Sequence, residues 1–334
     1  MIFYRRAGRA LPVEFQRPRK CEMKATAFHA GMHLEEAQLR PAEPACPLCL
    51  FRGERPAAVR LQSEPNVFLL RCPQCGGFSA SRLPTEDALR AYYATYYRQG
   101  TSKNAEQVTF HDPQRFAKHI CRKAMPFLQR QTPRILDFGG GGGDLSLSLA
   151  RLMLCNGASH VNVILVDYNA ALARTECQDI SLECHENLAS ANAEDCDLVL
   201  ASAVLEHIPY PQEDFTRLLS AVRPGGLFYA RTPCVAPIFR ILQRIGLPAD
   251  FTYPAHVHDM GEAYWSNILN LLPPPFQTYS MIWSHPSIVE TTLKKNIMRT
   301  LAAHVMKAPW RILGNRYQLV GGWEVLIRRP PTLT

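Results

Sequence analysis

Arg134-Ile135-Leu136-Asp137-Phe138-Gly139-Gly140-Gly141-Gly142-Gly143-Asp144 is the stretch that decides the fold. An apolar pair, an acid and then glycines at alternate positions open onto the helical pattern Leu145 to Leu154. Ile135-Leu136 suits a parallel strand buried on both faces. A chain turning sharply off its end needs residues that adopt positive φ and let the backbone approach a ligand, which Gly139, Gly141 and Gly143 supply. A flexible glycine linker would not follow a strand and precede an amphipathic helix, so the stretch reads as a cofactor loop. Dinucleotide loops require Gly-x-Gly-x-x-Gly. Counting from Gly139 puts Asp144 in the third glycine position and counting from Gly140 puts Leu145 there, so that pattern fails in both registers.

What remains, Asp137-x-Gly139-x-Gly141-x-Gly143, resembles the nucleotide loop of class I S-adenosylmethionine (SAM) dependent methyltransferases. Downstream, Val161 to Val166 reads as a buried strand ending in Asp167, at a distance from Gly143 that suits one βαβ step. An acid at such a tip accepts both hydroxyls of a ribose and repels a ribose phosphate, which makes Asp167 the leading nucleoside ligand. Ile180 to Cys184 is the expected third strand and Asp197 to Ser202 the fourth. Glu213 to Val222 is a helix, Arg223-Pro224-Gly225-Gly226 a turn, and Leu227 to Thr232 the fifth strand. Such alternation predicts an α/β fold. Leu205-Glu206-His207-Ile208-Pro209 is similar to the sequence after strand four in the same methyltransferase class.

The resemblance implies a doubly wound, mostly parallel, seven-stranded Rossmann-like methyltransferase sheet over residues 133–334. Its last two strands would be Phe276 to Trp283 and Gln318 to Ile327, the final one inserted antiparallel. An insertion over 234–275, with helices around Ile238 to Ile245 and Glu262 to Leu272, would lid the acceptor pocket; apolar periodicity also predicts a helix over Ile288 to Lys307. For the cofactor, SAM, it implies contacts from Asp137, Gly139, Gly141, Gly143 and Asp167, and from Asn187, Leu188 and Ala201 toward the adenosine.

Four of the eleven cysteines form Cys46-Pro47-Leu48-Cys49 and Cys72-Pro73-Gln74-Cys75. This is zinc-ribbon spacing: two residues between thiolates let one turn offer both sulfurs to a tetrahedral ion, and a second knuckle closes the shell. A closed four-thiolate shell makes the Zn2+ structural. The remaining cysteines have no ligand spacing. Cys46 to Tyr97, with its knuckles, its Pro84-Thr85-Glu86 helix start and its paired tyrosines, resembles the zinc-ribbon leader of bacterial methyltransferases from saccharide and secondary-metabolite pathways. Residues 41–82 are then the ribbon and 83–132 connecting helices. One of these is patterned on Phe110, Phe116, Ile120, Met125, Phe127 and Leu128. Tyr92, Tyr93, Tyr96 and Tyr97 at helical spacing read as packing before they read as cofactor contacts.

At 47% hydrophobic and 20% charged residues over 334 positions, the chain has the composition of a globular protein with room for a large domain and a small one. Five of the eight net positive charges fall in residues 1–20, where Arg5, Arg6, Arg9, Arg17, Arg19 and Lys20 face only Glu14. The rest is nearly balanced, which weakens a nucleic-acid partner without excluding it. Residues 1–40 read as a disordered basic leader without a signal-peptide core, and Met23 is an alternative start. No apolar run approaches the roughly 18 to 20 residues of a membrane span; no membrane partner and a cytoplasmic location are expected.

Methyl transfer from a sulfonium mainly asks for in-line alignment, and a hydroxyl acceptor also needs a base. His207, His256 and His258 are the candidates, with Asp259 available to orient an imidazole. The predicted activity is SAM-dependent methylation of a small-molecule acceptor, a sugar or sugar-linked intermediate among the choices. RNA methylation with the ribbon as recognition module, and a non-catalytic binding protein on the same scaffold, are the alternatives.

Overall fold

The computed structural model describes residues 31–98, 112–168, 173–175, 177–247, 252–294 and 296–332. Most of the basic leader, with Met23, lies outside these residues, as do Phe110 and Phe251, and so do the side chains of Tyr96 and Tyr97. Residues 31–40, assigned to the leader from sequence, instead pack against residues 62–83. Leu34 and Leu39 are buried with Val67 and Leu83, and the Gln62 side chain exchanges two 2.8 Å hydrogen bonds with the Leu34 backbone.

The seven-stranded sheet comprises β4 (Arg134–Phe138), β5 (Val161–Val166), β6 (Ile180–His185), β7 (Cys196–Ser202), β8 (Val222–Cys234), β10 (Ser280–Pro286) and β11 (Gly321–Arg328). Their order is β10-β11-β8-β7-β4-β5-β6. Strands β4 to β8 run parallel, while β11 pairs antiparallel with both β8 and β10, so the final strand is inserted as expected. The winding direction reverses at β4, which lies between β5 and β7, and in open α/β sheets such a reversal opens a crevice at the strand carboxyl ends.

Alternate residues face opposite layers. Ile135 joins Val163, Leu198, Leu200 and Tyr229 under the helices Pro113–Ala124 and Asp144–Cys155. Leu136 joins Ile164, Val199, Phe228, Phe215 and Trp265 under Pro211–Ala221 and Glu262–Leu271.

Three expected boundaries move. The Arg223–Gly226 turn survives only as an irregularity within β8, where pairing with β7 jumps from Cys196↔Val222 to Leu198↔Leu227. The penultimate strand starts at Ser280, after a single 3-10 turn, Phe276–Thr278, that follows three consecutive prolines. The helix expected from Ile288 covers Ile297–Lys307, because the Asn296 side chain accepts from Arg299 N and caps it there.

A second sheet carries the knuckles. β1 (Ala57–Ser63), β2 (Asn66–Arg71) and β3 (Phe78–Ala80) form an antiparallel meander, extended by β9 (His258–Asp259) from the insertion. Cys46, Leu48, Cys72 and Cys75 share one buried cluster with Trp265, Phe215 and Leu136, so the knuckles lie on the core of the large sheet. Among the described residues no helix is long and apolar enough to cross a membrane.

Candidate functional site

A cleft of about 1750 Å³ opens along the carboxyl ends of β4, β5, β7 and β8, larger than the roughly 300–1,000 Å³ of a typical ligand pocket. At its head is the glycine loop. Gly139, Gly141 and Gly143 all have positive φ, and Gly143 starts the helix Asp144–Cys155. A Cβ on Gly139 would stand 2.3 Å from Val204 Cγ2, and one on Gly140 2.3 Å from Asp137 Oδ2. At Gly141 and Gly142 it would meet nothing within 4 Å, so that part of the loop presents bare backbone to the cleft.

Asp137 lines the cleft at 1% exposure, and its Oδ2 has no hydrogen-bond partner among the described residues. Burial pushes its carboxyl up to about 6, against the lowering effect of Ser146. Asp167, at the tip of β5, accepts from Gly141 N at 3.0 Å through Oδ2, which ties the second acid to the loop. Asn187 and Leu188 also line the cleft, with Asn187 Oδ1 holding its own turn through Ser190 N. Ala201 does not reach it: the residue is fully buried within β7, and the rim next to it is made by Ser202, Ala203 and Val204.

The three histidines separate. His207 and His256 line the cleft with ring centroids 4.7 Å apart. His207 Nδ1 lies 2.9 Å from Ala255 O and 3.3 Å from the Tyr93 hydroxyl, so Tyr93 belongs to the cleft while Tyr92 is packing. His258 is fully buried. Its Nε2 donates to Ile208 O and Pro209 O, its Nδ1 accepts from Ser79 Oγ, and burial drives it down to about 4. As a neutral strut with both nitrogens engaged it cannot reach an acceptor, which corrects the sequence assignment. Among the described residues Asp259 orients no imidazole; its Oδ2 accepts from Val235 N and Ala236 N at the start of the helix Ala236–Arg244.

Three residues missed in the sequence join the cleft. Glu206 is 3% exposed, and burial raises its carboxyl to about 8. Arg231 pairs with Glu290 at 2.8 Å, and Lys307 donates to Ser287 O, with burial lowering its ammonium to about 8. A charged residue inside the apolar run Leu227 to Thr232 was the available signal for Arg231. Glu206 stood beside the histidine that drew attention.

Away from the cleft, the Sγ atoms of Cys46, Cys49, Cys72 and Cys75 lie within 4.8 Å of one another, with Cys46–Cys75 at 3.9 Å and Cys49–Cys72 at 3.6 Å. Thiolates about 2.3 Å from a tetrahedral ion stand about 3.8 Å apart, so the quartet has the dimensions of a four-thiolate cage.

Strand order, antiparallel final strand and cleft position together define the Rossmann-like methyltransferase sheet. Residues 110–270 match the family model described as "Methyltransferase domain". Among curated relatives, the ubiquinone biosynthesis O-methyltransferase of Rhizobium etli is 37% identical over 105 residues, covering 30% of this chain and 40% of its own. That of Aeromonas salmonicida is 30% identical over 149 residues, covering 39% and 61%. The matches thus span less than two thirds of these relatives.

Similar solved structures include a putative methyltransferase in complex with the Haloferax volcanii Trm112 activator (13% identity, 71% of this chain and 97% of that one, TM-score 0.46). Another is the magnesium protoporphyrin IX methyltransferase of Synechocystis PCC 6803 (14%, 65% and 83%, TM-score 0.42).

Proposed function

We propose that the chain is a class I SAM-dependent methyltransferase acting on a hydroxyl of a small-molecule acceptor, with a structural Zn2+ in its cysteine quartet. The observation that carries this reading is the pairing of Asp137 and Asp167 around bare glycine backbone at the reversal point of the sheet. The residues fit the cofactor. Asp167 sits where a ribose would be gripped, Asn187 and Leu188 where an adenine would lie, and Asp137 offers a buried carboxylate oxygen to a cation.

Bound there, SAM would supply a methyl group already attached to a cationic leaving group. The work left to the chain is to hold the acceptor in line and keep water out. Arg231, Met306, Lys307 and Val320 line the cleft, and His207 or His256 can hold the acceptor's proton. The O-methyltransferase names of the curated relatives support an oxygen acceptor, and the ribbon resemblance supports a saccharide among the classes to screen.

Calorimetry with SAM and S-adenosylhomocysteine tests the reading. Micromolar binding is expected, with Asp167→Ala weakening it about tenfold or more, equivalent to about 1.4 kcal/mol. No binding by the folded wild-type chain, or binding indifferent to Asp167→Ala, would remove it.

A further inference from the structure

Glu206 and His207 share the single 3-10 turn Leu205–His207, which leaves β7 through Ala203 at φ 58°. His256 arrives from the insertion on a turn closed by Ala255 N and His256 N onto Thr252 O. The two segments are fastened together by Val257 N donating to Glu206 O at 3.0 Å. This clamp gathers one ligand atom from each of Glu206, His207 and His256 to within 4.8 Å of one another on the cleft wall. His258, two residues on, is in the core, and Glu206 and His207 are the residues that meet His256.

We propose that Glu206, His207 and His256 form a binding site for a divalent transition-metal ion, separate from the cysteine quartet, that holds an oxygen of the acceptor. A second observation independent of the cluster supports it: Glu206 Oε2 is buried, belongs to a residue lining the cleft and has no hydrogen-bond partner among the described residues. A buried oxygen of this kind is costly to leave unpaired, and a cation relieves that cost. Arg231, whose charge also acts on Glu206, is paired through Nη1 with Glu290 at 2.8 Å.

His207 Nδ1–H donates to Ala255 O, the kind of backbone bond that orients a metal-ligating imidazole. Two imidazoles and one carboxylate suit zinc, manganese, iron(II) or cobalt(II), and three protein ligands leave open positions for water or substrate. An acceptor hydroxyl in such a position would be acidified, as metal-bound water is, and its proton would pass to solvent at the cleft mouth, since both imidazoles would then be engaged with the ion. The acceptor role rests on the methyltransferase reading; the ion site stands on its ligands alone.

The test is metal content and cobalt(II) spectroscopy on the full chain, with SAM calorimetry alongside. Chelator-stripped protein reloaded with cobalt(II) is expected to bind one equivalent with thiolate charge-transfer bands and one with only nitrogen and oxygen ligands. Glu206→Gln and His256→Ala should each weaken the second equivalent about a hundredfold or more while leaving the thiolate bands and SAM binding in place. Retained thiolate bands show that each variant is folded, and His256→Ala carries the test if Glu206→Gln is not. A wild-type chain showing only the thiolate site, or a second equivalent unaffected by His256→Ala, would overturn the proposal. Loss of SAM binding with both equivalents present would overturn the methyltransferase reading instead.

Discussion

The glycines of one loop differ in what they are for. Gly139 combines positive φ with a neighbour 2.3 Å from where its Cβ would be, whereas Gly142 has open space and ordinary φ. Gly139→Ala is therefore expected to destabilise the fold by about 2–4 kcal/mol, measured by denaturant unfolding. Gly142→Ala should stay within about 1 kcal/mol of wild type yet weaken SAM, because its methyl group enters the cleft.

Asp137 gives a pH signature. Burial raises its carboxyl to about 6, and a cationic ligand favours the ionised form. SAM affinity should fall as pH drops through that value and level off above it, which calorimetry on both sides would show. These acids and glycines were legible because their spacing is local. Glu206 and Arg231 were not, since a buried charge is recognisable only once its three-dimensional neighbours are known.

Elements with strong periodicity were legible, and those made by tertiary contact were not. β4, β5 and β7 follow from apolar runs bounded by acids or glycines, and the second layer of the sheet from the helices between them. β9 is two residues long, carries no pattern and exists because β3 offers it an edge. The late start of Ile297–Lys307 depended on one cap, Asn296, inside a continuous periodic stretch. The knuckles were legible as ligands but not as core. Since Cys75 is fully buried in the cluster containing Trp265 and Phe215, Cys75→Ala should cost about 3 kcal/mol or more, a fall of roughly 5–10 °C in Tm by calorimetric scanning. A single transition is expected, because the cysteine knuckles and the large sheet share that cluster.

On the scale of the whole molecule, the family match over residues 110–270 stops short of both the cysteine quartet and the closing hairpin β10–β11. The resemblance in the glycine loop was enough to predict a doubly wound, mostly parallel seven-stranded sheet with its final strand antiparallel, because right-handed βαβ steps leave few topologies open. It could not predict how the small sheet meets the large one. There, β3 holds β9, and two residues before β9 lies His256 in the cleft. A strong chelator that empties the quartet should therefore lower acceptor turnover more than SAM affinity, and Glu206→Gln, which spares the quartet, separates that effect from metal loss in the cleft.

The short graft of β9 onto β3 makes the amino-terminal sheet a splint rather than an appendage. Trimming the gene to the large sheet alone would leave an open backbone seam and a bared tryptophan, and the shortened product should clump during expression instead of yielding a smaller soluble protein.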